Sequence, residues 1–288
     1  MQDRNPESLY PASTLAASLS CYTPAVTISA IDTLIFDLDD TLVVEEASAE
    51  AAFIEAGELA RIRHGLDPRE LHATVRKTCR ELWYGFPSHP FCKRVGISSW
   101  EAMWAEFTGP DRELKPLRDW APEYRLESWR AALRAHGIDD PDLAAALAEA
   151  FPRLRRNTNV VCPDAKKVLD AFSPSYKLGL LTNGASDLQR RKIEGAGLAG
   201  YFDHFFIAGE SGVGKPDRRA FEMLLERLGS TARQSIMIGD RLATDVLGAH
   251  EAGMRAVWVN RSGERNHGPI IPDWEIHTLE ELLSILNG

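Results

Sequence analysis

The stretch Thr33-Leu34-Ile35-Phe36-Asp37-Leu38-Asp39-Asp40-Thr41 decides how this chain is read. Four apolar or β-branched residues run without alternation, as in a strand buried on both faces of a parallel sheet, then give way at once to carboxylates and a hydroxyl. The same change from strand to polar loop recurs downstream. Tyr176 to Leu181 precedes Thr182-Asn183-Gly184, His204 to Ile207 precedes Ala208-Gly209, and Ser235 to Ile238 precedes Gly239-Asp240. Arg255 to Val259 has the same apolar character. Helical patterns fill the intervals, at Pro163 to Phe172, Ser186 to Ala196, Pro216 to Leu228 and Thr244 to Ala252. Strands and helices in alternation predict an α/β fold with a doubly wound parallel sheet, and ligand chemistry at the carboxyl ends of its strands.

One long interval breaks the alternation. Between Ala47 and Asn159 the patterns are helical only: Ala47 to Arg63, Pro68 to Trp83, Ser98 to Phe107, Glu113 to His136 and Asp140 to Leu154. This insertion between the first and second strands accounts for a length of 288 residues, more than one ordinary domain needs. It is also electrically neutral, with 17 Lys+Arg against 17 Asp+Glu, so the net charge of −9 resides on the rest of the chain.

That charge, with a pI near 5.4, argues against coating nucleic acid or an anionic membrane. Apolar residues at 44% and charged residues at 26% are ordinary for a folded globular protein. No apolar run approaches the roughly 18 residues that would span a bilayer. Cys21, Cys79, Cys92 and Cys162 form no CxxC pair or zinc-ligand grouping and read as free thiols of a reducing cytoplasm. The first thirty residues, with mixed charges and three prolines, make a poor signal peptide and are expected to form a flexible or loosely docked extension.

The polar loops carry the chemistry. Asp37, Asp39 and Thr41 form a D-x-D-x-T pattern, in which two carboxylates of one loop can share a cavity, one attacking an electrophile and the other moving a proton. Thr182 and Asn183 offer a hydroxyl and an amide to an oxyanion. Lys215, just before Pro216, sets a cation at a helix start. Asp240 and Asp245, after the strand ending at Ile238, are hard oxygen ligands suited to Mg²⁺. Singly, these features have plain explanations: solvated turns, a surface lysine, a carboxylate favoured by a helix dipole. Their occurrence in this order, each after a strand, points to one site.

In that order the four segments resemble the motifs of the haloacid dehalogenase-like (HAD) hydrolase superfamily, over about residues 31 to 262, and the helical interval is placed like the C1 cap of its subfamily I. The resemblance implies a Rossmann-like core, residues 31–46 and 160–288, with an inserted all-helical cap, residues 47–159, after an N-terminal extension, residues 1–30. It implies that Asp37 is the nucleophile forming an aspartyl-phosphate and Asp39 the acid/base. The Mg²⁺ site would comprise Asp37, the backbone carbonyl of Asp39, and Asp240, with Asp245 as a further ligand or a partner beside it. Thr182, Asn183 and Lys215 would hold the phosphoryl oxygens, and Lys215 would also restrain Asp37. A phosphate dianion repels an attacking carboxylate, so a divalent ion and a fixed ammonium are needed where charge collects.

Asp39 selects among the reactions of that superfamily. Its dehalogenases lack a carboxylate at this position, because halide leaves without a proton, and its phosphonate-cleaving members use a cap lysine instead. With Asp39 and Thr41 present, the resemblance implies a Mg²⁺-dependent phosphatase for a small phosphorylated metabolite: a sugar, polyol or nucleoside monophosphate. A phosphomutase using the same carboxylates stays open, as does a non-catalytic domain binding a ligand or partner protein. The expected partner is the small metabolite, with no nucleic acid and no membrane, and the chain acting as a monomer or homodimer. Hinges are expected near Val43 to Ser48 and Asn157 to Pro163.

Within the insert, Trp100 and Trp104 share a helical face and are expected to pack against other helices. Trp83 to Phe91, with two prolines and a glycine, reads as an irregular loop, folding back on the insert or presenting His89 to a leaving group. Arg153-Leu154-Arg155-Arg156 reads as a solvated helix face or a phosphate-steering patch, and Arg190-Arg191-Lys192 as a basic group facing solvent.

Overall fold

The computed structural model describes residues 30–109 and 112–287. The expected N-terminal extension, apart from Ala30, lies outside the described residues, as does Cys21. In chain order the elements are β1 (Thr33–Phe36), β2 (Val43–Val44), α1 (Glu46–His64), α2 (Pro68–Tyr84), α3 (His89–Val95), α4 (Leu114–Ala135), α5 (Pro141–Arg156) and β3 (Val160–Val161). There follow α6 (Ala165–Phe172), β4 (Lys177–Thr182), α7 (Ser186–Gly195), β5 (His204–Ile207), α8 (Ala208–Ser211), α9 (Arg218–Leu228) and β6 (Ser235–Gly239). The chain closes with α10 (Leu247–Glu251), β7 (Arg255–Val259), β8 (Trp274–Ile276) and α11 (Leu282–Asn287).

Six strands form one sheet in the order β5-β4-β1-β6-β7-β8, every pairing parallel. This is a Rossmann-like α/β core. β1 lies inside the sheet, buried along its whole length, and its side chains alternate between two helical layers. Leu34 and Phe36 join Val168 and Leu169 of α6 and Leu282 of α11. Ile35 joins Phe221 and Leu224 of α9 and Ala249 of α10 on the opposite face. A strand covered on both sides needs an unbroken apolar run, and Thr33-Leu34-Ile35-Phe36 supplies one.

Between β2 and β3 the described residues contain only helical elements and turns. The two short strands pair antiparallel, Val43 with Val161 and Val44 with Val160, so the chain leaves and re-enters the sheet domain through one two-stranded ribbon. The insert has its own core. The rings of Phe53 on α1 and Phe151 on α5 stack at 3.9 Å between centroids, with Trp129 of α4 at 5.9 Å from Phe53. Asp67 and Asp140 cap α2 and α5, accepting from the backbone N–H of Arg69 and Leu143, and each is followed by the proline favoured in a first turn.

Several expectations need correction. The predicted helix from Ser98 to Phe107 is only a 3₁₀ turn at Glu101–Met103. Arginine side chains take its carbonyls: Arg125 binds those of Ala102 and Ala105, Arg156 that of Trp104, and Arg118 that of Phe107, whose φ of 53° also lies outside the helical region. Conversely, the predicted irregular loop from Trp83 to Phe91 is mostly helical, since α2 runs to Tyr84 and α3 begins at His89. This segment folds back on the insert, Phe86 stacking on Trp120 at 4.0 Å and His89 standing edge-on to Tyr84. The helix expected from Thr244 to Ala252 opens instead with a π-helical turn at Leu242–Val246.

Candidate active site

Register assembles the site. Phe36 is level with Leu180 on one neighbour and Ile238 on the other, so the chain leaves β1 beside the ends of β4 and β6. The backbone N–H of Asp37 continues the ladder, donating to the Ile238 carbonyl at 2.9 Å. Asp37, Thr182 and Asp240 therefore emerge together at the carboxyl edge. Lys215 reaches in from the loop before α9, its ammonium 2.5 Å from Asp37 Oδ1 and 2.6 Å from Asp245 Oδ1.

Asp37, Asp240 and Asp245 each place a carboxylate oxygen within 4.8 Å of the others. When all three carboxylates are ionised, Lys215 is the one ammonium paired with them among the described residues, and two negative charges lack an ion-pair partner within the cluster. Burial pushes Asp37 up to about 7, against the pull of Lys215 and with Asp245 adding to the rise. Burial likewise pushes Asp240 up to about 9, reinforced by Asp37 and Asp245. Asp240 Oδ1 is buried without a hydrogen-bond partner among the described residues. A buried, oxygen-only group short of two positive charges fits a hard divalent cation such as Mg²⁺. Asp245 is the most constrained of the three, since it also accepts from the Arg241 backbone N–H at 2.9 Å. Its carboxylate presses so closely on Gly239 that any Cβ there would collide with it.

Asp39, two residues beyond Asp37, points to a different lysine. Its oxygens accept from Lys192 Nζ at 2.9 and 3.0 Å, and Oδ2 also accepts from Gln189 Nε2 at 2.8 Å. Asp39 is thus not among the three clustered carboxylates, and only its backbone is left to serve that cluster. Gln189 Nε2 also donates to Thr182 Oγ1 at 2.6 Å. The Asn183 side-chain amide is committed to backbone, donating to the Lys215 carbonyl at 2.9 Å and accepting from the Lys215 N–H at 2.8 Å, which fixes the lysine loop against β4. Thr41 is buried, its hydroxyl without a hydrogen-bond partner among the described residues.

Sequence reasoning missed Gln189, Lys192, Glu45, Glu101 and Arg155. The expectation that Arg190-Arg191-Lys192 faces solvent holds for Arg190 and Arg191 but fails for Lys192, which is 1% exposed. Arg155 is buried as well, paired with Glu45 and lying 4.7 Å from the Trp104 ring centroid. The spacing held a usable signal. Gln189 and Lys192 are three apart on the helix that follows Thr182, hence on one face, the face that α7 buries with Ser186.

A family model for haloacid dehalogenase-like hydrolases matches residues 31–253. Phosphoserine phosphatase of Thermus thermophilus is 38% identical over 250 residues, covering 86% of this chain and 96% of that protein. Pyrimidine 5′-nucleotidase YjjG of Escherichia coli is 34% identical over 56% of this chain and 69% of its own length. Among solved structures, the HAD-hydrolase YfnB of Bacillus subtilis, bound to magnesium and described as revealing interdomain movement, is 25% identical with a TM-score of 0.64, covering 90% of this chain and 99% of that one. Strand order, the four strand-end motifs and these relatives agree: the chain belongs to the haloacid dehalogenase-like hydrolases, as a phosphatase of that family.

Proposed function

We propose that this protein is a Mg²⁺-dependent phosphatase that hydrolyses a small phosphorylated metabolite through an aspartyl-phosphate on Asp37. The observation that carries the reading is a loop with two carboxylates, each held by its own buried lysine: Asp37 on Lys215 and Asp39 on Lys192. The Asp37 carboxylate attacks phosphorus and the bond from phosphorus to the ester oxygen breaks, while Asp39, protonated at this step, gives its proton to the departing alkoxide and becomes a carboxylate. Asp39 then takes a proton from the water that attacks the aspartyl-phosphate, releasing inorganic phosphate and restoring Asp37. Lys215 neutralises charge as Asp37 approaches the phosphoryl group, with Asp245 fixing the ammonium from behind. The Thr182 hydroxyl, beside the same strand end, donates to a phosphoryl oxygen.

The carboxylates of Asp37 and Asp240 with the Asp39 backbone carbonyl would hold Mg²⁺, and Asp245 completes or braces that set. When bound, the ion screens the phosphate dianion from the attacking carboxylate. We take residues 47–159 as a cap that moves on the β2–β3 ribbon, as in the movement described for YfnB. The free thiols of Cys79, Cys92 and Cys162, all buried, support a reducing cytoplasmic location.

Phosphoserine heads the candidate substrates because, of the stated likenesses, the one at the highest identity, 38%, is to a phosphoserine phosphatase. Sugar, polyol and nucleoside monophosphates complete the panel. With Mg²⁺ the protein is expected to release inorganic phosphate from at least one of them, and Asp37→Asn to abolish that release. Activity surviving in Asp37→Asn would refute the covalent route. An isomerised ester with little free phosphate would instead establish a phosphomutase.

A further inference from the structure

Lys192 is a buried cation that the reaction above does not use. Its ammonium meets Asp39 at 2.9 Å, Glu45 at 3.2 Å and Glu101 at 3.4 Å, and lies 5.9 Å from the Trp104 ring centroid. Two of these neighbours, Glu101 and Trp104, belong to the 3₁₀ turn and its cap in the helical insert, whereas Lys192 and Asp39 belong to the sheet domain. Glu45 lies just before the insert and Arg155 near its end, and the two are paired at the same cluster. One lysine therefore joins the loop of Asp39 to the interior of the insert and, through Glu45, to the residue that precedes it.

The hydrogen bonding on Asp39 is asymmetric. A carboxylate offers about four lone-pair positions. Among the described residues, Lys192 takes one on each oxygen and Gln189 takes the second on Oδ2, leaving one open on Oδ1. The Asp39 side chain is 25% exposed, so the carboxyl group is not sealed from the cleft. Nor does Lys192 lock Asp39 as an isolated ion pair, because two cations here, Lys192 and Arg155, face three carboxylates, Asp39, Glu45 and Glu101.

We infer that Lys192, itself anchored by Glu101 of the insert, is a positioning residue that orients Asp39 so that, in its protonated form, the proton sits at the one open Oδ1 position and passes from there to the leaving alkoxide. The placement of Asp39 thereby depends on the insert being seated. The inference rests on the phosphatase reading, with Asp39 as general acid.

Leaving-group chemistry tests it. An alkoxide needs a proton in order to depart, whereas p-nitrophenolate departs without one. kcat/KM, which covers the steps through departure of the leaving group, is measured with Mg²⁺ for the best alkyl phosphate of the panel and for p-nitrophenyl phosphate. Lys192→Met is expected to lose about 10- to 100-fold on the alkyl ester, up to the lower end of what general acid catalysis supplies because Asp39 itself remains, and less than about 3-fold on the aryl ester. Lys192→Arg should recover part of the alkyl activity. Glu101→Gln, which removes a charge without volume, should show a smaller loss in the same direction, and it carries the test alone if Lys192→Met does not fold. In an Asp39→Asn background, the Lys192 substitution should add little. Equal losses on both esters would overturn the inference and reduce Lys192 to a structural ion pair. A wild-type protein that hydrolyses neither ester would instead overturn the phosphatase reading itself.

Discussion

Burial raises both Asp240 and Asp37, with Asp245 beside them adding to the rise. Both folded values, about 9 and about 7, lie above the ordinary 3.8, so the metal-free folded chain binds more protons than the unfolded chain between those limits. Stability contributed by these groups is greatest at low pH and declines as the pH rises through that window. A cation that requires the carboxylates ionised competes with those protons, so its affinity rises with pH. In EDTA the melting temperature should fall between pH 6 and pH 9, and Mg²⁺ should raise it more at pH 9 than at pH 6. At a hundredfold excess over Kd, the ion contributes about 2.7 kcal/mol. Thermal unfolding at the two pH values, with EDTA or Mg²⁺, measures both effects, and a metal-free protein more stable at pH 9 would contradict the assignment of the cluster.

At the scale of elements, the helices of the insert hold Glu45, Glu101 and Arg155 around Lys192, so their packing matters to the site as well as to the fold. Phe151 is wholly buried on α5, stacked on Phe53 and 6.3 Å from the Trp129 ring centroid, one turn before Arg155. Phe151→Ala should cost about 3–5 kcal/mol, the range for truncating a buried aromatic. Hydrogen exchange is expected to show faster opening of α1 and α5 than of the sheet, whereas uniform acceleration would mean that insert and sheet unfold as one unit. The sheet was readable because strands covered on both faces must be apolar throughout, and each strand end could then be checked for a polar residue. β8 escaped because Trp274-Glu275-Ile276 is three residues long at the sheet edge, with only Ile276 fully buried. The turn at Glu101–Met103 escaped because side chains far along the sequence, Arg118, Arg125 and Arg156, replace the helical hydrogen bonds. Lys192 escaped for a related reason. A run of three basic residues reads as a solvated face until the helix carrying it is known to pack over Asp39.

At the scale of the whole molecule, the insert sits closed on the strand ends. The Gly184 N–H donates to the Val95 carbonyl at 2.8 Å, Arg94 Nε to the Gly212 carbonyl at 2.9 Å, and Ser186 Oγ to the Thr108 carbonyl at 2.6 Å. Beneath these contacts Asp37 and Lys215 are each 5% exposed, too little to admit a phosphorylated metabolite. On the proposed reading, turnover would require these contacts to part and re-form, with the β2–β3 ribbon, through which the chain enters and leaves the insert, as the proposed hinge. A covalent tie across the closure should arrest the enzyme. A Cβ built on Gly109 lies 3.6 Å from Ser186 Cβ, within the range of a disulfide, although a φ of 153° and an approach of 2.8 Å to Leu114 Cδ1 require the loop and that side chain to shift, and the cysteines among the described residues are buried. In the double variant Gly109→Cys/Ser186→Cys, oxidation should reduce phosphate release to a small fraction of the reduced protein's rate, and dithiothreitol should restore it. Mass spectrometry confirms that the bond has formed. An oxidised variant that turns over as fast as the reduced one would show that substrate enters without the insert lifting, and access would then have to be sought through the cavity of about 500 Å³ between α3 and the Lys215 loop, lined by Lys93, Arg94 and Arg218.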